Sequence, residues 1–138
     1  MATILVVEDE FFIRDNAQWT ITDMGHDSLL AVDLAEALSH LSGSQEIDAL
    51  FVDMRLGTLA FGGYDVANQA VAIRPDLRVL YTSGTSLNAD MTDLFVPGGQ
   101  FLQKPYSSDQ LEVSVRGLLT SLPGDRDALG TVAIVHQS

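Results

Sequence analysis

Short apolar runs alternate with amphipathic stretches along most of the chain. The runs are TILVV (3–7), DSLLAV (27–32), DALFV (48–52), RVLYT (78–82) and QFLQ (100–103). They are too short for helices and largely apolar rather than strictly alternating, which predicts strands covered on both faces. Between them the period changes. Ile13, Ala17, Ile21 and Met24 recur at helical spacing within 10–24, and Gly25 follows as a stop. Asp33 and Glu36 open LAEALSHL in the manner of a capping box, and Ser42-Gly43-Ser44 closes it. Residues 54–63 hold three glycines and read as a loop, and YDVANQAVAI (64–73) reads as a helix stopped by Arg74-Pro75-Asp76. A short, polar helix is expected over 87–95, before Pro97-Gly98-Gly99. Ser107 with Gln110 marks a last helix start, followed by Leu111, Val115, Leu118 and Leu119 on one face. The predicted architecture is α/β: a three-layer (βα)5 doubly wound parallel sheet with right-handed crossovers.

Composition narrows the class of protein. The chain has 138 residues, enough for one domain with its own core. It has no cysteine, which removes disulfides, thiolate metal sites and cysteine nucleophiles from consideration. The formal charge of −12 argues against nucleic-acid contacts and against anionic membranes. The start, MATILVVEDE, lacks the basic flank and longer apolar stretch of a signal peptide, and no run is long enough to span a membrane. A cytoplasmic protein is expected. Of seven basic residues, six are arginine; Lys104 is the single lysine.

Chemistry gathers at the ends of the strands. The first run ends in Glu8-Asp9, the third in Asp53, the fourth in Ser83-Gly84 and the fifth in Lys104-Pro105. In a parallel sheet these ends share one edge, where ligands bind. Three carboxylates brought together repel unless a cation joins them, and an oxygen-only set suits a hard ion such as Mg²⁺ or Mn²⁺. Lys104 adds positive charge and Ser83 a hydroxyl donor. Together they describe a carboxylate that accepts a phosphoryl group. Taken singly, each residue has a plainer explanation: the acids as helix caps, the serine as a turn residue, the lysine as a solvated charge. The combination on four of five strands is what points to chemistry.

These motifs resemble the response-regulator receiver domain of two-component signalling, over residues 1 to about 121. VVEDE resembles its acidic pair, LFVDMRL its phospho-acceptor strand, LYTSG its Thr/Ser strand and FLQKPY its Lys-Pro strand. The spacings fit as well, with 30 residues from Asp53 to Ser83 and 21 from Ser83 to Lys104. The resemblance implies a flavodoxin/CheY-like sheet of order 2-1-3-4-5. It implies that Asp53 is phosphorylated by a phosphohistidine donor, on a sensor histidine kinase or a histidine phosphotransfer protein. Asp9, Asp53 and the backbone carbonyl of Arg55 would ligate Mg²⁺, with Glu8 helping through water. Lys104 would pair with a phosphoryl oxygen. Ser83 and Phe101 would form the switch shown to a downstream protein partner, and Pro105 would follow a cis peptide. Such a protein is a phosphoacceptor that takes part in its own phosphotransfer and dephosphorylation, not an enzyme acting on a separate substrate.

The sequence also departs from that family. The loop after Asp53, from Arg55 through GTLAFGGYD, is about two residues longer than usual and lacks a proline frequent there. Arg55 stands where a side chain can steer water toward a phosphoryl group or point to solvent. Only 17 residues follow position 121, too few for an output domain, so a stand-alone receiver with a 122–138 extension is expected. The TVAIV run within that extension could add an edge strand, pack on a partner or fray. Two rival functions remain: a receiver-like binding module that is never phosphorylated, and a Mg²⁺-dependent aspartyl phosphatase. The latter class usually carries a second aspartate two residues after its nucleophile, where this chain has Arg55.

Overall fold

A computed structural model describes residues 1–121, and the TVAIV run and the rest of the 122–138 extension lie outside them. Five strands and five helices alternate: β1 (Thr3–Val7), α1 (Phe11–Asp23), β2 (Asp27–Ala31), α2 (Leu34–Leu41), β3 (Ala49–Asp53), α3 (Gly62–Ile73), β4 (Arg78–Ser83), α4 (Ala89–Thr92), β5 (Gln100–Gln103) and α5 (Ser108–Thr120). All neighbouring strands pair in parallel, in the order β2-β1-β3-β4-β5. This is the doubly wound sheet expected from the alternation of periods.

The sheet is covered on both faces, and residue parity divides the core in two. Ile4, Val6, Ala49, Phe51, Leu80 and Leu102 pack with Ala17 and Ile21 of α1 and with Leu111, Val115 and Leu118 of α5. Leu5, Val7, Leu50, Val52, Val79 and Tyr81 pack with Leu41 of α2 and with Val66, Ala67 and Ala70 of α3. Every residue of β3 is buried, which explains why its run shows no polar alternation. The same parity carries past the strand ends and sorts the side chains of the site.

Local signals worked with small shifts. Asp33 accepts the Glu36 amide at 3.0 Å, while Glu36 reaches the Val32 amide at 2.8 Å instead of closing the box on Asp33. Ser107 and Gln110 form the full reciprocal box at 3.1 and 2.8 Å. Gly25, at φ 87°, carries the chain out of α1 as the stop signal implied. Two helices differ from their expected ranges by more than one residue. α3 begins at Gly62 instead of Tyr64, because Gly63 packs directly on the backbone after Asp53. Its amide donates to the Met54 carbonyl at 2.9 Å, and a β-carbon there would overlap the Asp53 carbonyl oxygen. The expected 87–95 helix shrinks to one turn. Asn88 caps it through the Met91 amide at 3.0 Å, and Phe95 leaves the helical path to stack on Tyr81 at 4.0 Å.

Candidate functional site

The carboxyl edge of the sheet assembles the acids and the lysine. Parity places Glu8, Asp53 and Lys104 on the face of α1 and α5. Lys104 Nζ donates to Asp53 Oδ2 at 2.9 Å and stands 3.0 Å from Glu8 Oε1. The second contact is an ion pair outside hydrogen-bond angles, which leaves Glu8 Oε1 without a hydrogen bond. Glu8 and Asp53 are 3% and 6% exposed, so both charges are held largely out of water. Asp9 is exposed, and its Oδ2 accepts the Gly57 amide at 2.9 Å. Lys104 joins Pro105 through a cis peptide, as the family resemblance implies.

Capping does not account for these acids. Asp53 lies within β3, paired in register with Thr82, and the residue before α3 is Phe61, which makes no side-chain cap. α1 starts after Glu10, also without a side-chain cap.

Electrostatics follow from burial. Desolvation raises the Glu8 carboxyl from 4.5 to about 7; the nearby Asp53 charge adds to the rise, and Lys104 opposes it. For Lys104 burial acts downward, but the hydrogen bond to Asp53 and the pull of Glu8 outweigh it, so the ammonium is held charged. One lysine thus faces two buried acids, with a third acid beside them. Glu8, Asp9 and Asp53 each offer an oxygen, all within 4.8 Å of one another. An oxygen-only set with surplus negative charge fits a hard divalent cation, Mg²⁺ or Mn²⁺, better than a soft one.

The other expected residues gather less closely. The Arg55 amide is 3.3 Å from Asp53 Oδ1, which brings its backbone to the site while its side chain is exposed. Ser83 ends β4 on the opposite face, and its Oγ accepts the Thr85 amide at 3.0 Å. No hydrogen bond joins Ser83 to Asp53 among the described residues. Phe101 is buried, beside Tyr81 in register, and stacks on Phe95 with ring centroids 6.3 Å apart. Sequence reasoning missed Tyr106, although it stands next to Pro105. Its ring meets Phe51 edge-on at 5.9 Å, its buried hydroxyl has no partner, and burial followed by the charges of Glu8 and Asp53 pushes its phenol up. It also missed Phe11, Phe12 and Trp19, which α1 exposes to solvent.

Comparison with known proteins agrees with this fold. The family model for the response regulator receiver domain matches residues 4–116, and the chain belongs to that family. The receiver domain is a phosphoacceptor module of two-component signal transduction. The response regulator MprA of Mycobacterium avium is 29% identical over 126 residues, covering 91% of this chain and 54% of that protein. The chain therefore spans about half the length of the curated relatives it matches. A response regulator receiver protein from Sinorhizobium medicae is 30% identical with a TM-score of 0.77, covering 87% of this chain and 95% of that one. NtrX from Brucella abortus is 29% identical with a TM-score of 0.76, covering 86% of this chain and 27% of that one. No helix among the described residues is long and apolar enough to cross a membrane.

Proposed function

We propose that this receiver accepts a phosphoryl group on Asp53, with a divalent cation held by Asp9 and Asp53, the Arg55 carbonyl and, through water, Glu8. The observation that carries the reading is the bridge of Lys104 between Asp53 and Glu8, with Asp9 close by. A caged lysine beside a buried carboxylate neutralises charge that enters with a phosphoryl group. In the transfer, an Asp53 carboxylate oxygen attacks phosphorus and the bond from phosphorus to the donor histidine nitrogen breaks. Its electron pair stays on the imidazole. Asp9, Asp53 and the Arg55 carbonyl would hold the cation, Mg²⁺ or Mn²⁺, which when bound would supply neutralising charge to the phosphoryl oxygens. Lys104 pairs with one of those oxygens. Ser83 leaves the Thr85 amide to donate to another, and the stack of Tyr81, Phe95 and Phe101 repacks in response. Arg55, its side chain exposed at the rim, stands where it can steer the water that ends the phosphorylated state.

The donors on this reading are a sensor histidine kinase or a histidine phosphotransfer protein, acting in the cytoplasm. Output runs through a downstream protein that reads the repacked face, or through onward transfer of the phosphoryl group. The acidic charge of the chain favours protein contacts over nucleic acid. The test is intact mass after incubation with Mg²⁺ and acetyl phosphate. A single phosphoryl adduct, lost in Asp53→Ala, supports the reading. No adduct points to an unphosphorylated binding module, and continuous turnover of phosphate esters points to a phosphatase.

A further inference from the structure

The glycine-rich stretch after Asp53 forms an ordered hairpin. Leu56 and Leu59 exchange backbone hydrogen bonds of 3.0 and 2.9 Å. Gly57 makes the turn at φ 60°, a conformation that disfavours any side chain. The element is tied at both ends: Leu56 is buried, and the Leu59 carbonyl accepts the Gly62 amide at 3.2 Å where α3 begins. The direction of the Gly57 amide is therefore fixed by the fold, and it points at Asp9 Oδ2, 2.9 Å away. Asp9 is the exposed member of the carboxylate trio, and Lys104 does not hold it. Among the described residues the Gly57 amide is its one hydrogen-bond donor.

We propose that the Leu56–Leu59 hairpin is a positioning element for the cation site. The Gly57 amide fixes Asp9 in the orientation that ligates a divalent cation, so cation binding and hairpin order strengthen each other. This rests on the cation reading given above. A carboxylate has lone pairs for both partners, so one amide leaves room for a metal. An exposed aspartate held in one rotamer has already lost the freedom that ligation would remove. Linkage makes the effect reciprocal: whatever factor the closed hairpin contributes to cation affinity, the cation returns to hairpin closure.

The experiment combines calorimetric Mg²⁺ titration with amide hydrogen exchange on the whole chain. Gly57→Ala keeps open space around the new β-carbon but disfavours the turn. It should weaken Mg²⁺ binding about fivefold, the ordinary net worth of one hydrogen bond. In the unmodified protein, saturating Mg²⁺ should slow exchange at Gly57 and Leu59 by the same factor. Asp9→Asn keeps an acceptor for the amide and removes the charge, so its hairpin should stay protected but no longer respond to Mg²⁺. Saturation with Mg²⁺ and no change in hairpin exchange would overturn the proposal while leaving the cation site intact. Unaltered affinity in Gly57→Ala would do the same. Absence of calorimetric Mg²⁺ binding in the unmodified protein would instead remove the cation reading, and the proposal with it.

Discussion

Glu8→Gln gives a quantitative test of the electrostatics of the site. In the cation-free protein, burial and the Asp53 charge hold the Glu8 carboxyl at about 7 against 4.5 when exposed. Between those values the folded state binds more protons than the unfolded state, so stability falls as pH rises. The loss begins near pH 4.5 and is complete above about pH 7. At 1.36 kcal/mol per pH unit the full effect is about 3 kcal/mol. Glutamine keeps the size of the side chain, but its one oxygen serves either the Glu10 amide, which Glu8 Oε2 accepts at 3.2 Å, or Lys104, which stands 3.0 Å from Oε1, so the substitution carries a cost that does not vary with pH. It removes the buried charge, and Lys104 retains Asp53. Urea unfolding in EDTA, followed by far-UV circular dichroism, should show little beyond that fixed cost at pH 5. By pH 8 the difference should have moved in favour of Glu8→Gln by up to about 3 kcal/mol. Trp19 is 70% exposed and would be a poor fluorescence probe of unfolding. Mg²⁺ should narrow the gap by stabilising the ionised parent. A difference that stays constant from pH 5 to 8, or that moves toward the parent over that range, would show that Glu8 is not held protonated by its burial.

Other perturbations report on separate parts of the account. Lys104→Met leaves Glu8 and Asp53 without their cation and should cost about 3 kcal/mol in urea unfolding at pH 8, less at pH 5 where Glu8 takes up a proton. Gly63→Ala sets a methyl group on the Asp53 carbonyl and 2.6 Å from Met54 Cα. It should cost about 2–3 kcal/mol by the same assay and weaken Mg²⁺ binding, since the strand end that carries Asp53 must shift. Tyr81→Phe removes the hydroxyl that accepts the buried Val96 amide at 3.0 Å. It should cost about 1–2 kcal/mol and speed hydrogen exchange at Val96.

The strands and most helices were legible because both kinds of period were clean. The apolar runs became strands, and α5 buries Leu111, Val115 and Leu118 as its spacing implied. The charged centre was legible because parallel strands bring their carboxyl ends to one edge. What stayed hidden depended on contacts distant in sequence. Gly62 and Gly63 look like loop glycines, but they begin α3 because the helix presses against the chain after Asp53. The Leu56–Leu59 hairpin has no strand-like residue pattern, and its tie to Asp9 links residues 48 apart. α4 is cut to one turn by Phe95 stacking on Tyr81, an attraction with no local signal. The position of Ser83 at the strand end could be read from spacing, but the direction of its hydroxyl, set by the Thr85 amide, could not.

Phosphorylation of Asp53 is tested by locating the modified residue. The protein is incubated with Mg²⁺ and acetyl phosphate and reduced with borohydride, which converts an aspartyl phosphate to homoserine. The chain is then digested and sequenced by mass spectrometry. Homoserine is expected at position 53 alone, with EDTA and Lys104→Met each lowering its yield. Homoserine at position 9, or reduction that yields none while the intact mass shows a phosphoryl adduct, would contradict phosphorylation of Asp53.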